Sequence, residues 1–185
     1  MAEFLTFFCI FKNSKFNYFD FLKQLLSEKE EQAFTVKGTD DAFEKFIVGS
    51  NYDSKGNYKQ FAASELKKVN LRLLIEPINT YDIPGFYLSR TAQAIGIMDE
   101  VGTDNLYLQY DIYHAQRMEG ELANTIEKYL PRIAHIQLAD NPGRNEPGTG
   151  EINYRYLLAF LDRIGYKGWV GCEYKPLKNT AAGLS

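Results

Sequence analysis

Cysteine and histidine are scarce in this chain, and each scarcity closes off a class of chemistry. Among 185 residues there are two cysteines, Cys9 and Cys172, far apart and in no CxxC pair. That usage excludes a disulfide framework and leaves two free thiols in a reducing cytosol. Two histidines, His114 and His135, cannot serve a multi-zinc centre. No apolar run approaches the roughly 20 residues a membrane span needs. Phe4 to Phe11 is apolar, but Glu3 precedes it and neither a basic leader nor a small-residue cleavage site frames it, so no secretory signal is expected. Neither sign of charge dominates: 21 Lys and Arg against 24 Asp and Glu give a net charge of −3. Nothing there calls for nucleic acid or a membrane as partner. Fixed-period repeats and low-complexity tracts are also missing. The expected location is the cytoplasm.

What remains is an ordinary globular composition, 45% hydrophobic and 24% charged, in a chain long enough for one real core. Residues 1–56 read poorly: a short strand over Leu5–Phe11, a helix over Phe16–Gln32 and a polar loop from Gly49 to Asn57 are the expectations. From Asn57 onward helices and strands alternate. Helices are predicted over Tyr58–Val69, Ser89–Val101 (with Leu88, Ala92, Ile95 and Met98 inward), Glu119–Tyr129 and Tyr154–Ile164. Gly102, Pro131 and Gly165 supply the stops. Strands are predicted over Leu71–Ile78, Leu106–Asp111, Ile133–Asp140 and Trp169–Tyr174. Such alternation means a parallel sheet with crossover helices, either an open doubly wound sheet or a closed (β/α)8 barrel. Both gather ligands beyond the carboxyl ends of their strands.

Each predicted strand ends in a potential oxygen ligand: Glu76, Asp111, Gln137 and Glu173. Successive intervals of 35, 26 and 36 residues, the differences of those numbers, each approximate one βα unit. Any one of these acids alone is more often an ordinary rim residue. Four at matching positions form one rim, where three carboxylates repel each other unless a divalent cation neutralises them. Oxygen donors of this kind suit Mg²⁺ or Mn²⁺. His114, three residues past Asp111, could reach a substrate oxygen; a lone histidine is as readily a structural hydrogen-bonder. His135 shares the face of Gln137 one layer deeper and reads as support. Arg144 could pair with a substrate carboxylate or be a solvated loop cation. Gly148-Thr-Gly150 lacks the Lys-Ser/Thr element of a phosphate loop and is rejected as one. Cys172, facing away from Glu173, reads as packing.

Leu73-Leu-Ile-Glu-Pro-Ile-Asn79, Asp111-Ile-Tyr-His114, His135-Ile-Gln137, Gly143-Arg-Asn-Glu-Pro147, Gly150-Glu-Ile-Asn-Tyr154 and Gly165-Tyr-Lys-Gly-Trp-Val-Gly-Cys-Glu-Tyr-Lys-Pro176 resemble the hydroxypyruvate isomerase family of xylose-isomerase-like (β/α)8 barrels. The resemblance covers about residues 57–185. It implies interconversion of hydroxypyruvate and 2-hydroxy-3-oxopropanoate (tartronate semialdehyde). It also implies a divalent metal held by Glu76, Asp111, Gln137 and Glu173, with Glu76 and Glu173 as acid/base pair, and a small hydroxy-carbonyl acid or sugar as partner. His114 and Arg144 are then the substrate-binding candidates. Gln137 stands where related ketose epimerases carry a histidine, which favours the isomerase.

Residues 1–56 do not resemble the family and are too few for the four βα units that would precede Glu76. The expectation is therefore about the C-terminal half of a barrel, residues 57–185 as four parallel βα units, behind a divergent segment, residues 1–56. Its open sheet edges would be covered by that segment and by self-association. Three functions stay open: the isomerase, a related ketose isomerase or epimerase, and a truncated non-catalytic homologue.

Overall fold

The structure is a computed structural model, and it describes residues 63–64, 67–68 and 72–179. The elements expected within residues 1–56, and the chain beyond 179, lie outside the described residues. Of the helix expected over Tyr58–Val69, residues 63–64 and 67–68 are described and are helical.

From Leu73 the alternation continues as predicted. Strand β1 (Leu73–Ile75) is followed by helix α1 (Thr91–Val101), β2 (Leu106–Asp111), α2 (Ile112–Met118) and α3 (Leu122–Tyr129). A 3-10 turn (Leu130–Arg132), β3 (Ile133–Leu138), α4 (Tyr154–Arg163) and β4 (Trp169–Cys172) complete the order. All three strand pairings are parallel and the sheet order is β1-β2-β3-β4. Among the described residues each strand's neighbour is the next in sequence, with no reversal there of the kind that marks a doubly wound sheet. The progression is that of a barrel wall.

The two sheet faces differ in chemistry. Leu73, Leu106, Leu108, Tyr110, Ile136 and Leu138 face the helices and share one core with Ala94, Ile97, Met98, Ile126, Leu157 and Leu161. Gln109, His135, Gln137 and Gly171 occupy the opposite face, where the polar side chains converge. Alternation along each strand causes this split.

Several boundaries differ from expectation. The first strand keeps its ladder only over Leu73–Ile75: Pro77 has no N–H to donate, and the N–H of Ile78 goes to Leu88 O at 2.9 Å. Helix α1 buries Thr91, Ala94, Ile97, Met98 and Val101, so the face anchored on Ala92 and Ile95 is rotated by about one residue. Gly102, at φ 65°, ends α1 as the sequence implies. Helix α2 was not anticipated. Asp111 caps it, its carboxylate accepting from the N–H groups of Tyr113 and His114. Gly120 at φ 67° and Glu121 at φ 49° then break the chain before α3 begins at Leu122. Cys172 is exposed, not packed, because no described helix follows β4 to cover it. No helix among the described residues is long and apolar enough to cross a membrane.

Candidate active site at the carboxyl ends of the strands

Glu76, Asp111 and His114 come together at the carboxyl rim of β1 and β2. One potential ligand atom from each lies within 4.8 Å of the other two. Glu76 follows β1 directly and Asp111 ends β2, so two adjacent parallel strands deliver two carboxylates side by side. His114 is swung to the same spot by the first turn of α2, and its Nε2 sits 3.9 Å from Asp111 Oδ2. The Asp-x-x-His spacing thus works through a capped helix, not through an extended strand.

Gln137 is buried on β3 and joins the group through an intermediary. Gln109 Nε2 donates to Glu76 Oε2 at 2.8 Å and to Gln137 Oε1 at 2.5 Å. Gln109 was missed in the sequence. Its signal was parity alone, two residues before Asp111 and therefore on the same face. Glu173 follows β4 and is not part of the tight cluster; its Oε2 pairs with Arg144 at 3.2 Å. Arg144 also lies over the Tyr113 ring at 5.3 Å. It holds a left-handed backbone, φ 55°, fixed by the N–H of Lys175 donating to its carbonyl at 2.7 Å.

The loop that carries Arg144 is tied to one buried carboxylate. Asp140 Oδ1 accepts from the N–H groups of Asn141 (2.9 Å) and Ile152 (3.0 Å), and Oδ2 accepts from Gly148 (2.8 Å). The glycine amide a phosphate would need is already taken. Gly150 passes so close that a Cβ there would lie 2.1 Å from Asn141 O. His135 sits one layer below, as expected, against Gly171, where an added Cβ would come 2.9 Å from Nε2.

Electrostatics reflect burial without partners. Burial, reinforced by the charges of Asp111 and Glu173, holds the Glu76 carboxyl well above the usual carboxylate range. Burial also pushes Asp111 up to about 6, against the His114 backbone N–H and the Arg144 charge. For His114, burial and then the Arg144 charge push the imidazole down to about 3, so it is neutral near pH 7. Glu76 Oε1 and Asp111 Oδ2 are buried and have no hydrogen-bond partner. Two orphaned carboxylate oxygens at one rim cost several kcal/mol unless protonated or bound by a cation. Such hard oxygen donors fit a divalent cation of the Mg²⁺ or Mn²⁺ kind.

Comparison with known proteins bears on this geometry. A family model described as xylose isomerase-like TIM barrel matches residues 57–185. Hydroxypyruvate isomerase of Escherichia coli (strain K12) is 58% identical over 125 residues, covering 68% of this chain and 48% of that protein. The 2-oxo-tetronate isomerase of Cupriavidus necator is 47% identical over 124 residues, covering 67% and 48%. The chain spans about half the length of the curated relatives it matches. Among solved structures, an AP endonuclease, family 2, from Brucella melitensis superposes with a TM-score of 0.69 at 31% identity, covering 87% of this chain and 72% of that one.

Proposed function

The chain belongs to the xylose isomerase-like TIM barrel family, and from that premise we propose that it isomerises hydroxypyruvate to 2-hydroxy-3-oxopropanoate (tartronate semialdehyde) in the cytoplasm with a divalent cation. The observation that carries the reading is the pair of orphaned carboxylate oxygens, Glu76 Oε1 and Asp111 Oδ2, at one strand-end rim. The 58% identity to a hydroxypyruvate isomerase supports hydroxypyruvate as the substrate. Residues 57–185 form the catalytic unit in this proposal, and residues 1–56 a separate segment.

Glu76, Asp111, Gln137 and Glu173 would hold the cation. When bound, the cation supplies positive charge to the oxygens of an α-hydroxy carbonyl, stabilising the charge of an enediolate. The chain's own residues do the rest. Glu76 and Glu173 would take the proton from C3 and deliver one to C2, while the hydroxyl proton on the C3 oxygen passes to the C2 oxygen, so that the ketone becomes the hydroxyl and the alcohol becomes the aldehyde. Burial raises the Glu76 carboxyl above the usual carboxylate range, which makes it a stronger base than an exposed carboxylate. His114, neutral, faces the substrate oxygens as a hydrogen-bond partner. Arg144, paired with Glu173 beside the rim, is the cation proposed for a substrate carboxylate. In the described conformation it neutralises Glu173, so recruiting Glu173 to the metal frees Arg144 for the substrate.

A second reading is favoured by the 47% identity to a 2-oxo-tetronate isomerase. Its substrate would be a longer hydroxy-carbonyl acid at the same carboxylates. A panel of hydroxypyruvate, 2-oxo-tetronate and ketohexoses, each assayed with Mg²⁺ or Mn²⁺, separates the readings. Turnover of hydroxypyruvate at the highest kcat/KM is expected. Turnover of ketohexoses alone would transfer the chain to the epimerases, and turnover of nothing by metal-loaded protein would make it a non-catalytic homologue.

A further inference from the structure

We propose that Asn79 is a positioning residue that fixes the tautomer of His114, so that the ring presents Nε2–H to the rim as a donor and does not ligate the cation. The tautomer rests on geometry alone; what the donor acts upon rests on the isomerase reading.

Asn79 is 0% exposed and lies three residues past Glu76. Its Oδ1 accepts from the backbone N–H groups of Tyr81 (3.0 Å) and Asp82 (2.8 Å). A backbone N–H can only donate, so these two bonds fix which way the side-chain amide points. The opposite end, Nδ2, therefore faces outward as a donor, 2.6 Å from His114 Nδ1 and 3.0 Å from Asp82 Oδ2. The main-chain N–H of Asn79 donates to the same Nδ1 at 3.2 Å. A ring nitrogen receiving two N–H groups cannot carry a proton of its own. The neutral ring must then be protonated at Nε2, the atom turned toward Asp111.

That proton changes what the cluster means. Glu76, Asp111 and His114 are close enough to hold an ion by distance, but Nε2–H has no lone pair to offer. By chemistry the cluster is two acceptors and one donor. A donor at that position can stabilise a substrate oxygen as negative charge develops on it, a contribution that oxyanion-type donors make. The role falls to Asn79 because it supplies both the side-chain and the main-chain donor that keep Nδ1 bare.

Ring nitrogen-15 NMR of the full chain tests this directly, since only two histidines contribute and His114→Gln assigns the signals. The wild-type His114 ring is expected to show a bare Nδ1 and a protonated Nε2, unchanged when Mg²⁺ is added. Asn79→Asp puts a carboxylate against Nδ1 and should move the proton there, with kcat on hydroxypyruvate falling about 10²-fold and KM changing far less. A wild-type ring protonated at Nδ1, loss of the Nε2 proton on adding Mg²⁺, or an unaltered pattern in folded Asn79→Asp overturns the proposal. The first two need no variant, so a misfolded Asn79→Asp leaves the matter decidable. The expected ring pattern in a protein that turns over no hydroxy-carbonyl acid would sink the isomerase reading and leave the Asn79–His114 pairing standing.

Discussion

Glu76 and Asp111 each keep one buried oxygen without a partner, and their behaviour as single residues follows from that. Asp111 has its folded pKa raised to about 6. Its contribution to stability is therefore fully present below the unfolded value near 4 and is lost as pH rises through about 6. Replacing it with Asn keeps an N-cap acceptor for α2 and removes the buried charge. Metal-free Asp111→Asn should be more stable than wild type at pH 8 by about 3 kcal/mol. The gap should close between about pH 6 and pH 4, as read from thermal midpoints across pH. Adding Mn²⁺ should raise the wild-type midpoint and leave the variant's where it was. The acid/base roles are checked separately: Glu76→Gln and Glu173→Gln should each lower kcat on hydroxypyruvate by about 10²–10⁴-fold in a steady-state assay. At this scale the sequence was legible where residue type and strand parity coincide, as for the placing of Glu76 and Asp111 at one rim; Glu173, paired instead with Arg144, lies outside that cluster. Asn79 and Gln109 escaped because what makes them matter is a hydrogen bond across 35 and 33 residues, respectively, which no local pattern encodes.

Elements aim these side chains, and the loop between β3 and α4 illustrates how. Its three inward N–H groups, those of Asn141, Gly148 and Ile152, all end on the Asp140 carboxylate. Truncation in Asp140→Ala would strand them, costing about 2–4 kcal/mol in urea denaturation. It should also weaken substrate binding, because the same loop carries Arg144; an unchanged midpoint and KM would show the loop is held by something else. The glycines and prolines of this stretch announced a loop but not its shape, since the organising contacts come from one aspartate at the end of a strand. Helix α2 was hidden for a related reason. Seven residues, Ile112–Met118, are too few for a periodic signal, although Asp111 before them is a legible cap. Strands β2 and β3 read well because both are six-residue runs alternating between core and rim.

At the scale of the molecule, the four parallel strands found among the described residues, in sequential order, make about half of an eight-stranded barrel, beside a chain that spans about half of its relatives. Among the described residues β1 and β4 each pair on one side only, and Trp169 on β4 is 76% exposed. Exposed sheet edges are blunted or covered in native proteins; self-association over β1 or β4 is predicted to provide that cover, and light scattering should return a mass of at least two chains. The alternation that specified the barrel wall is periodic and local, which is why it was readable; how the wall is closed depends on contacts between distant surfaces and was not. Whether one cation serves the carboxylates at the strand ends is tested by hydroxypyruvate turnover in chelator-stripped protein titrated with Mg²⁺ or Mn²⁺. No turnover is expected before metal, with activity saturating at one bound cation per chain and no recovery in Glu76→Gln. Turnover that is indifferent to chelation, or a metal-saturated wild type that converts no hydroxypyruvate, would contradict it.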